Sequence, residues 1–268
     1  MHPLIDQKTV ETIFATGKTD EKLPDRIEIL EKNRLPYDQE AENIIITGCQ
    51  ILSALPHVIC SLSRLFHRRG VSHAFLSKEY CCGNLLYRPA IKARDDQAMS
   101  DCRELSREFV AKNIQEAKRL GARRLVIVCS PCYPIYKHAF PEVDIVFYPA
   151  AISELMEKVN FKGEIDYYAG CYRLHGKFSP VPMDLESTNK VFEKIEGLDI
   201  HRISAPKCCF SPEGLSHMIE NVKTDLMVHI CTGCYMQAVK NMREDRKTDI
   251  LMLPEFVERI MDKDRLHP

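Results

Sequence analysis

Short apolar runs alternate with helical periodicities along most of the chain. Ile44-Ile45-Ile46-Thr47 stops at Gly48, and Asp166-Tyr167-Tyr168-Ala169 stops at Gly170; each predicts a strand broken by glycine. Residues 125–128 and 226–230 are apolar runs of the kind buried on both faces of a parallel sheet. Residues 144–148 and 249–253 form a further matching pair, each running into a proline, Pro149 and Pro254. Residues 72–77 and 199–205 read as two more strands. Helical patterns fill the gaps. Residues 52–69 space Leu55, Ile59, Leu62 and Phe66 by three or four, and Leu105, Phe109, Ile114, Ala117 and Leu120 precede Gly121, a C-cap. Residues 152–159 and 256–261 are amphipathic.

Strands alternating with helices predict right-handed βαβ units. The expectation is an α/β protein of two pseudo-repeated, Rossmann-like βαβ halves with parallel sheets, occupying residues 44–160 and 161–268. The first 43 residues fit neither half. They are polar, lack cysteine and hold one predicted helix around residues 25–32, so they read as an arm packed on the body or on another subunit.

Charge narrows the choice of partner. Lys+Arg (37) and Asp+Glu (38) nearly cancel to a net charge of −1, which leaves no field of one sign for nucleic acid or an anionic membrane. No apolar run approaches the ~18 residues of a membrane span. The N-terminal sequence has neither the basic nor the apolar region of an export signal. The expected location is cytoplasmic, with any membrane association made through partner subunits.

Cysteine then decides the chemistry. Twelve cysteines without an export signal point to metal or redox chemistry, because the cytosol keeps thiols reduced. Ten of them fall into two series. Cys49 is followed after 31 residues by Cys81-Cys82 and after 46 more by Cys129-Ser-Pro-Cys132; Cys171 is followed after 36 by Cys208-Cys209 and after 21 more by Cys231-Thr-Gly-Cys234. The order C…CC…CxxC therefore occurs twice. The lone Cys, the CC (after residues 72–77 or 199–205) and the CxxC each follow a predicted strand, so each set of five is expected to converge at the carboxyl ends of its strands, where open parallel sheets place ligands. Thiolates are soft ligands that select zinc, Cu(I) or iron–sulfur clusters. Five exceed what one zinc ion or one cubane needs, which favours a larger or more open cluster.

The duplicated C…CCG…CxxC pattern resembles the cysteine-rich, or CCG, domain proteins typified by the B-type subunit of heterodisulfide reductase, over roughly residues 44–262. The resemblance implies a noncubane 4Fe–4S cluster at each motif, one or two per chain, facing one another so as to split a disulfide between them. It assigns Cys49, Cys81, Cys82, Cys129 and Cys132 to the first cluster and Cys171, Cys208, Cys209, Cys231 and Cys234 to the second. It also implies a small disulfide or thiol substrate and a ferredoxin-like iron–sulfur subunit as partner. No GxGxxG or GxxxxGK motif occurs, so a flavin-containing subunit is expected as well. The second copy departs from the pattern, reading Cys208-Cys209-Phe210 where the first has Gly83. If a positive φ is needed there, Phe does not supply it, and the second set is expected to hold an altered cluster, a zinc ion or nothing.

Other residues carry blander readings. Cys60 and Cys102 lie at apolar helical positions and read as small buried hydrophobes. His229, two residues before Cys231, reads as a hydrogen-bonded strand residue, with ligation as the alternative. His175 reads as a helix cap, with proton donation to a leaving thiolate as the alternative. The basic groups Arg64, His67, Arg68, Arg69 and Arg119, Arg123, Arg124 read as solvated helix ends, with a docking patch for an acidic partner as the alternative. Two functions compete with the iron–sulfur subunit: a zinc-stabilised scaffold or relay without chemistry of its own, and a thiol–disulfide protein using CxxC.

Overall fold

The structure, a computed structural model, describes residues 2–173, 175–242 and 247–266. Among the described residues, eight strands build two four-stranded parallel sheets. The first contains β1 (Asn43–Ile46), β2 (His73–Ala74), β3 (Arg124–Ile127) and β4 (Ile145–Phe147), in the order β2-β1-β3-β4. The second contains β5 (Val159–Tyr168), β6 (Ile195–Arg202), β7 (Leu226–His229) and β8 (Asp249–Met252), in the order β6-β5-β7-β8. The α/β class and the duplicated parallel sheets are as the periodicities predict.

The apolar runs form central strands because only strands covered on both faces bury every side chain. Ile44, Ile45 and Ile46 are fully buried, as are Val126 and Ile127. They align in register, Ile45 with Val126 and Ile46 with Ile127. In the second sheet Tyr167 pairs with Val228 and Tyr168 with His229.

Contacts divide the chain into two compact units. One holds the chain up to Tyr148 and the short stretch ending at Met183; the other holds Pro149–Arg173 and the chain from Asp184 onward. Each sheet lies within one unit. Among the described residues, no helix is long and apolar enough to cross a membrane.

Several predicted elements shift at prolines. Pro56, lacking an N–H, starts a helix at Pro56–Arg68 and separates it from the short turn Ile51–Ala54, so residues 52–69 are two helices. Pro149 and Pro254 likewise sit in the first turns of Tyr148–Leu155 and Leu253–Leu266. The helix predicted over 152–159 thus begins earlier and ends before Val159, which opens β5. The strand predicted over 199–205 starts earlier too, at Ile195. The arm contains a second helix, Gln7–Thr16, beside Arg26–Lys32.

Candidate functional site

In each sheet the strand order reverses between its two central strands. Ligands of open α/β sheets bind at such switch points, outside the carboxyl ends. Cysteines stand there at matching offsets. Cys49 and Cys171 are the third residues past β1 and β5, and Cys129 and Cys231 are the second past β3 and β7. Cys132 begins the helix Cys132–Ala139, and Cys231 is the N-cap of Thr232–Asn241.

Each set of five draws together within its own unit. In the first, Cys132 donates a hydrogen bond to Cys82, sulfurs 3.2 Å apart. Further thiol contacts link Cys49 to Cys81, Cys81 to Cys82 and Cys129 to Cys132. In the second, the corresponding sulfurs of Cys209 and Cys234 stand 3.3 Å apart, and Cys171 contacts Cys208 while Cys231 contacts Cys234. All twelve cysteines are thiols outside any disulfide. Hydrogen bonds from Cys132 and then Cys81 bring the Cys82 thiol down to about 6, and the Cys234 contact lowers Cys209. Cys132 moves up through its contacts with Cys129 and then Cys82, and Cys234 through its contacts with Cys209 and then Cys231, because a thiolate there would lie beside other thiol sulfurs in a buried place.

Glycine makes the approach between loops. Gly48 has φ +89°, and a Cβ there would lie 2.6 Å from Cβ of Cys129. Gly170 has φ +101°, with Cβ of Cys231 and Sγ of Cys234 each 3.5 Å from where its own Cβ would be. Both glycines let the lone-cysteine loop lie against the CxxC loop.

The sequence reading missed the groups that hold the first set in place. Glu79, 2% exposed, accepts from the backbone N–H of Gly48 at 2.6 Å and of Thr47 at 2.9 Å, and from the Thr47 hydroxyl at 3.0 Å. Arg26 of the arm donates to the same carboxylate at 3.0 Å, and also to Thr47 Oγ1 and to the Leu76 carbonyl. The arm reaches the thiols themselves: the Cys81 N–H donates to the Gly17 carbonyl at 2.8 Å, and Thr19 Oγ1 lies 3.9 Å from Cys49 Sγ as donor. At the corresponding places the second copy has Ala169 and Pro206, which have no side chains to repeat the network.

The obstacle expected at Phe210 does not arise in the backbone. Gly83 has φ +77°, whereas Phe210 is not among the residues of positive φ. Even so, both backbones serve the same purpose. The Gly83 N–H donates to Cys81 at 3.3 Å, and the Phe210 N–H donates to Cys208. The chain after Cys209 therefore keeps the donor without the left-handed turn. The Phe210 side chain, 66% exposed, lies beside Gly233, within the CxxC.

The remaining residues mostly follow their bland readings. Cys102 is fully buried and donates to the Leu86 carbonyl; Cys60 is half-buried on its helix. Arg119, Arg123 and Arg124 are paired with Glu116, Glu42 and Asp144. His229 is not the hydrogen-bonded strand residue expected. It is fully buried, neither ring nitrogen has a hydrogen-bond partner among the described residues, and its ring packs beside Tyr168 and Tyr235. Burial brings it down to about 3, so it is neutral. His175 opens the short helix His175–Phe178, and burial brings it down to about 4, so at neutral pH it is not the imidazolium that proton donation to a leaving thiolate calls for.

Among the described residues, no three His, Cys, Asp or Glu side chains are arranged as the ligands of one metal ion. The donor set itself suits a soft metal: in each unit, five sulfurs outside any disulfide at a switch point, with one pair of them 3.2 Å apart in the first set and 3.3 Å apart in the second.

Comparison with known proteins agrees with the cysteine pattern. Residues 44–134 match the cysteine-rich domain, CCG. This part of the chain is a CCG domain. The match contains all five cysteines of the first set; the second set lies beyond it. The chain is 25% identical over 142 residues to EtfAB:quinone oxidoreductase of Syntrophomonas wolfei, covering 50% of this chain and 18% of that protein. It is 24% identical over 149 residues to the D-type subunit of dihydromethanophenazine:CoB–CoM heterodisulfide reductase of Methanosarcina barkeri, and 22% to that of Methanosarcina mazei, covering 50% of this chain and 34% of each. The chain thus matches about a third or less of these relatives' length, and the heterodisulfide reductase relatives among them are of the D type rather than the B type.

Proposed function

We propose that the chain is an iron–sulfur oxidoreductase subunit in which Cys49, Cys81, Cys82, Cys129 and Cys132 hold one noncubane 4Fe–4S cluster. Cys171, Cys208, Cys209, Cys231 and Cys234 hold a second. The observation that carries this is the repeated geometry: five thiols per set at a switch point, with the second cysteine of CC against the last of CxxC at 3.2 and 3.3 Å. The relatives' names support a redox role, coupling quinone to EtfAB in one and the CoB–CoM heterodisulfide to dihydromethanophenazine in the others.

Once bound, such a cluster supplies one-electron transfer and an iron Lewis acid toward sulfur. The chain's own residues prepare the place. Glu79 and Arg26 fix the Cys49 loop, Gly48 and Gly170 allow the loops to close, and the Gly83 and Phe210 N–H groups bond to thiolate sulfur and lower its basicity. The substrate in this reading is a disulfide or thiol. Electrons pass through a ferredoxin-like subunit and a flavin-containing subunit, in a cytoplasmic complex.

The lack of a Glu79 counterpart favours one further reading, that the second set holds zinc and serves as scaffold. Iron, acid-labile sulfide and zinc per chain, measured on anaerobically purified protein with electron paramagnetic resonance, test both. About eight irons with matching sulfide is the expected result. Four irons with one zinc would replace the second cluster by zinc, and zinc without iron would overturn the redox reading.

A further inference from the structure

The first unit carries a cleft that none of the ten series cysteines lines. Two adjoining hollows of about 270 and 370 Å³ share Arg103 and His138. The floor of the first is apolar: Tyr87 and Phe178, ring centroids 5.4 Å apart, with Ile135. Ser179 Oγ donates to the Pro134 carbonyl at 2.9 Å and so fastens the Phe178 wall to the helix behind it.

The rim is basic. Arg103, Arg107 and His138 edge the first hollow and Lys177 the second, against a single carboxylate, Glu104. The excess sits on a chain of net charge −1, whereas Arg26, Arg119, Arg123, Arg124 and Arg259 each sit against a carboxylate. Arg103 and Arg107 are one helical turn apart on Asp96–Arg119, where like charges repel. Arg107 is held in place by the Ala139 carbonyl at 3.1 Å and by the Phe140 ring. Neither Arg103 nor Lys177 forms an ion pair among the described residues. An apolar floor under a rim with more cations than carboxylates is complementary to an anion with an apolar body.

We propose that this cleft binds a small organic anion: an aromatic or aliphatic body on Tyr87, Ile135 and Phe178, with its phosphate, sulfonate or carboxylate held by Arg103 and Lys177. The ligand does not react with a thiol here, since no sulfur of either set faces the cleft. It lies one layer from the first set all the same. Ser106 lines the hollow, accepts from the Tyr87 hydroxyl at 3.1 Å and donates to the Cys82 carbonyl at 2.7 Å. An occupant therefore bears on the Cys81-Cys82 turn, as an effector does. The inference stands whether or not the thiols hold iron.

The test uses the full chain as purified and the fluorescent aromatic sulfonate 1-anilinonaphthalene-8-sulfonate, with phenyl phosphate as competitor. One saturable site is expected, weakened by added salt. Arg103→Gln and Lys177→Gln should each weaken it about tenfold, the loss of one charge-assisted contact, while Arg119→Gln, away from the cleft, leaves it unchanged. The uncharged N-phenyl-1-naphthylamine should ignore all three substitutions. All three positions lie at the surface and circular dichroism checks the fold. Equal binding by wild type and both cleft variants, or no competition by phenyl phosphate, would overturn the proposal.

Discussion

The Glu79 carboxylate accepts the Gly48 N–H at 2.6 Å across 31 positions of sequence, tying the loop that presents Cys49 to the segment that leads into Cys81-Cys82. The same carboxylate is paired with Arg26, and both side chains are buried. Removing one member of such a pair strands the other charge away from water. Glu79→Gln should therefore cost about 3–5 kcal/mol of stability, read as the shift of a urea unfolding curve. Adding Arg26→Met should recover a large part of that loss, because the stranded charge goes too. A loss under about 1 kcal/mol for Glu79→Gln would mean that water reaches the pair.

This tie marks where the sequence stops being legible. The two parallel sheets and the position of Cys49, Cys129, Cys171 and Cys231 at strand ends follow from short apolar runs that stop at Gly or Cys, a local pattern. Glu79 and Arg26 meet across 53 positions through one rotamer each, and no periodicity encodes such a meeting. The helix Gln7–Thr16 was hidden for a related reason: its buried stripe is only Val10, Thr12 and Ile13 among polar neighbours. At Phe210 the residue type was informative but its consequence was not, because a second backbone route delivers the same N–H to sulfur.

Gly48 and Gly170 occupy equivalent places with unequal room. A Cβ at Gly48 meets Cys129 Cβ at 2.6 Å, whereas at Gly170 the nearest atom is 3.3 Å away, in the Tyr172 ring. Gly170→Ala should cost about 1–2 kcal/mol, the strain of a left-handed residue with a side chain. Gly48→Ala adds a backbone displacement to that strain, should cost more, and should lower the metal bound per chain. Thermal midpoints and metal content of the two variants side by side check this; equal losses would remove the packing argument.

His73 makes the first unit sensitive to acid. Its Nδ1 lies 3.3 Å from the Val71 carbonyl, which can only accept, so this nitrogen carries the proton and Nε2 takes a hydrogen bond from Ser63 at 2.7 Å. Burial between Phe66 and Phe75 lowers its pKa from the ordinary 6.5, and the nearby His67 adds to the effect. The unfolded chain therefore takes up this proton first. The stability associated with neutral His73 is intact above about pH 6.5 and is lost as the pH falls from there through the folded-state pKa. Denaturation midpoints between pH 7.5 and 5.5 should fall for the wild type and fall less steeply for His73→Gln; parallel curves would assign the acid sensitivity elsewhere.

Phe210 shields the second set rather than building it. Its ring stands 3.3 Å from where a Cβ of Gly233 would be, and Cys231 Sγ is 3.9 Å from that same point, so the ring and the sulfur share one small patch of surface. Two thirds of the side chain remains in water, and truncating it removes little buried area. Phe210→Ala should change stability by less than about 1 kcal/mol. In the metal-free, reduced chain it should open Cys231, which is half-buried, to alkylation. Peptide mapping after a brief iodoacetamide pulse should show Cys231 labelled several times faster in the variant, measured against Cys49 of the other unit as the internal reference. An unchanged Cys231 rate would mean that the ring covers Gly233 alone, and the loss of the CCG glycine would then have no consequence for access to the second set.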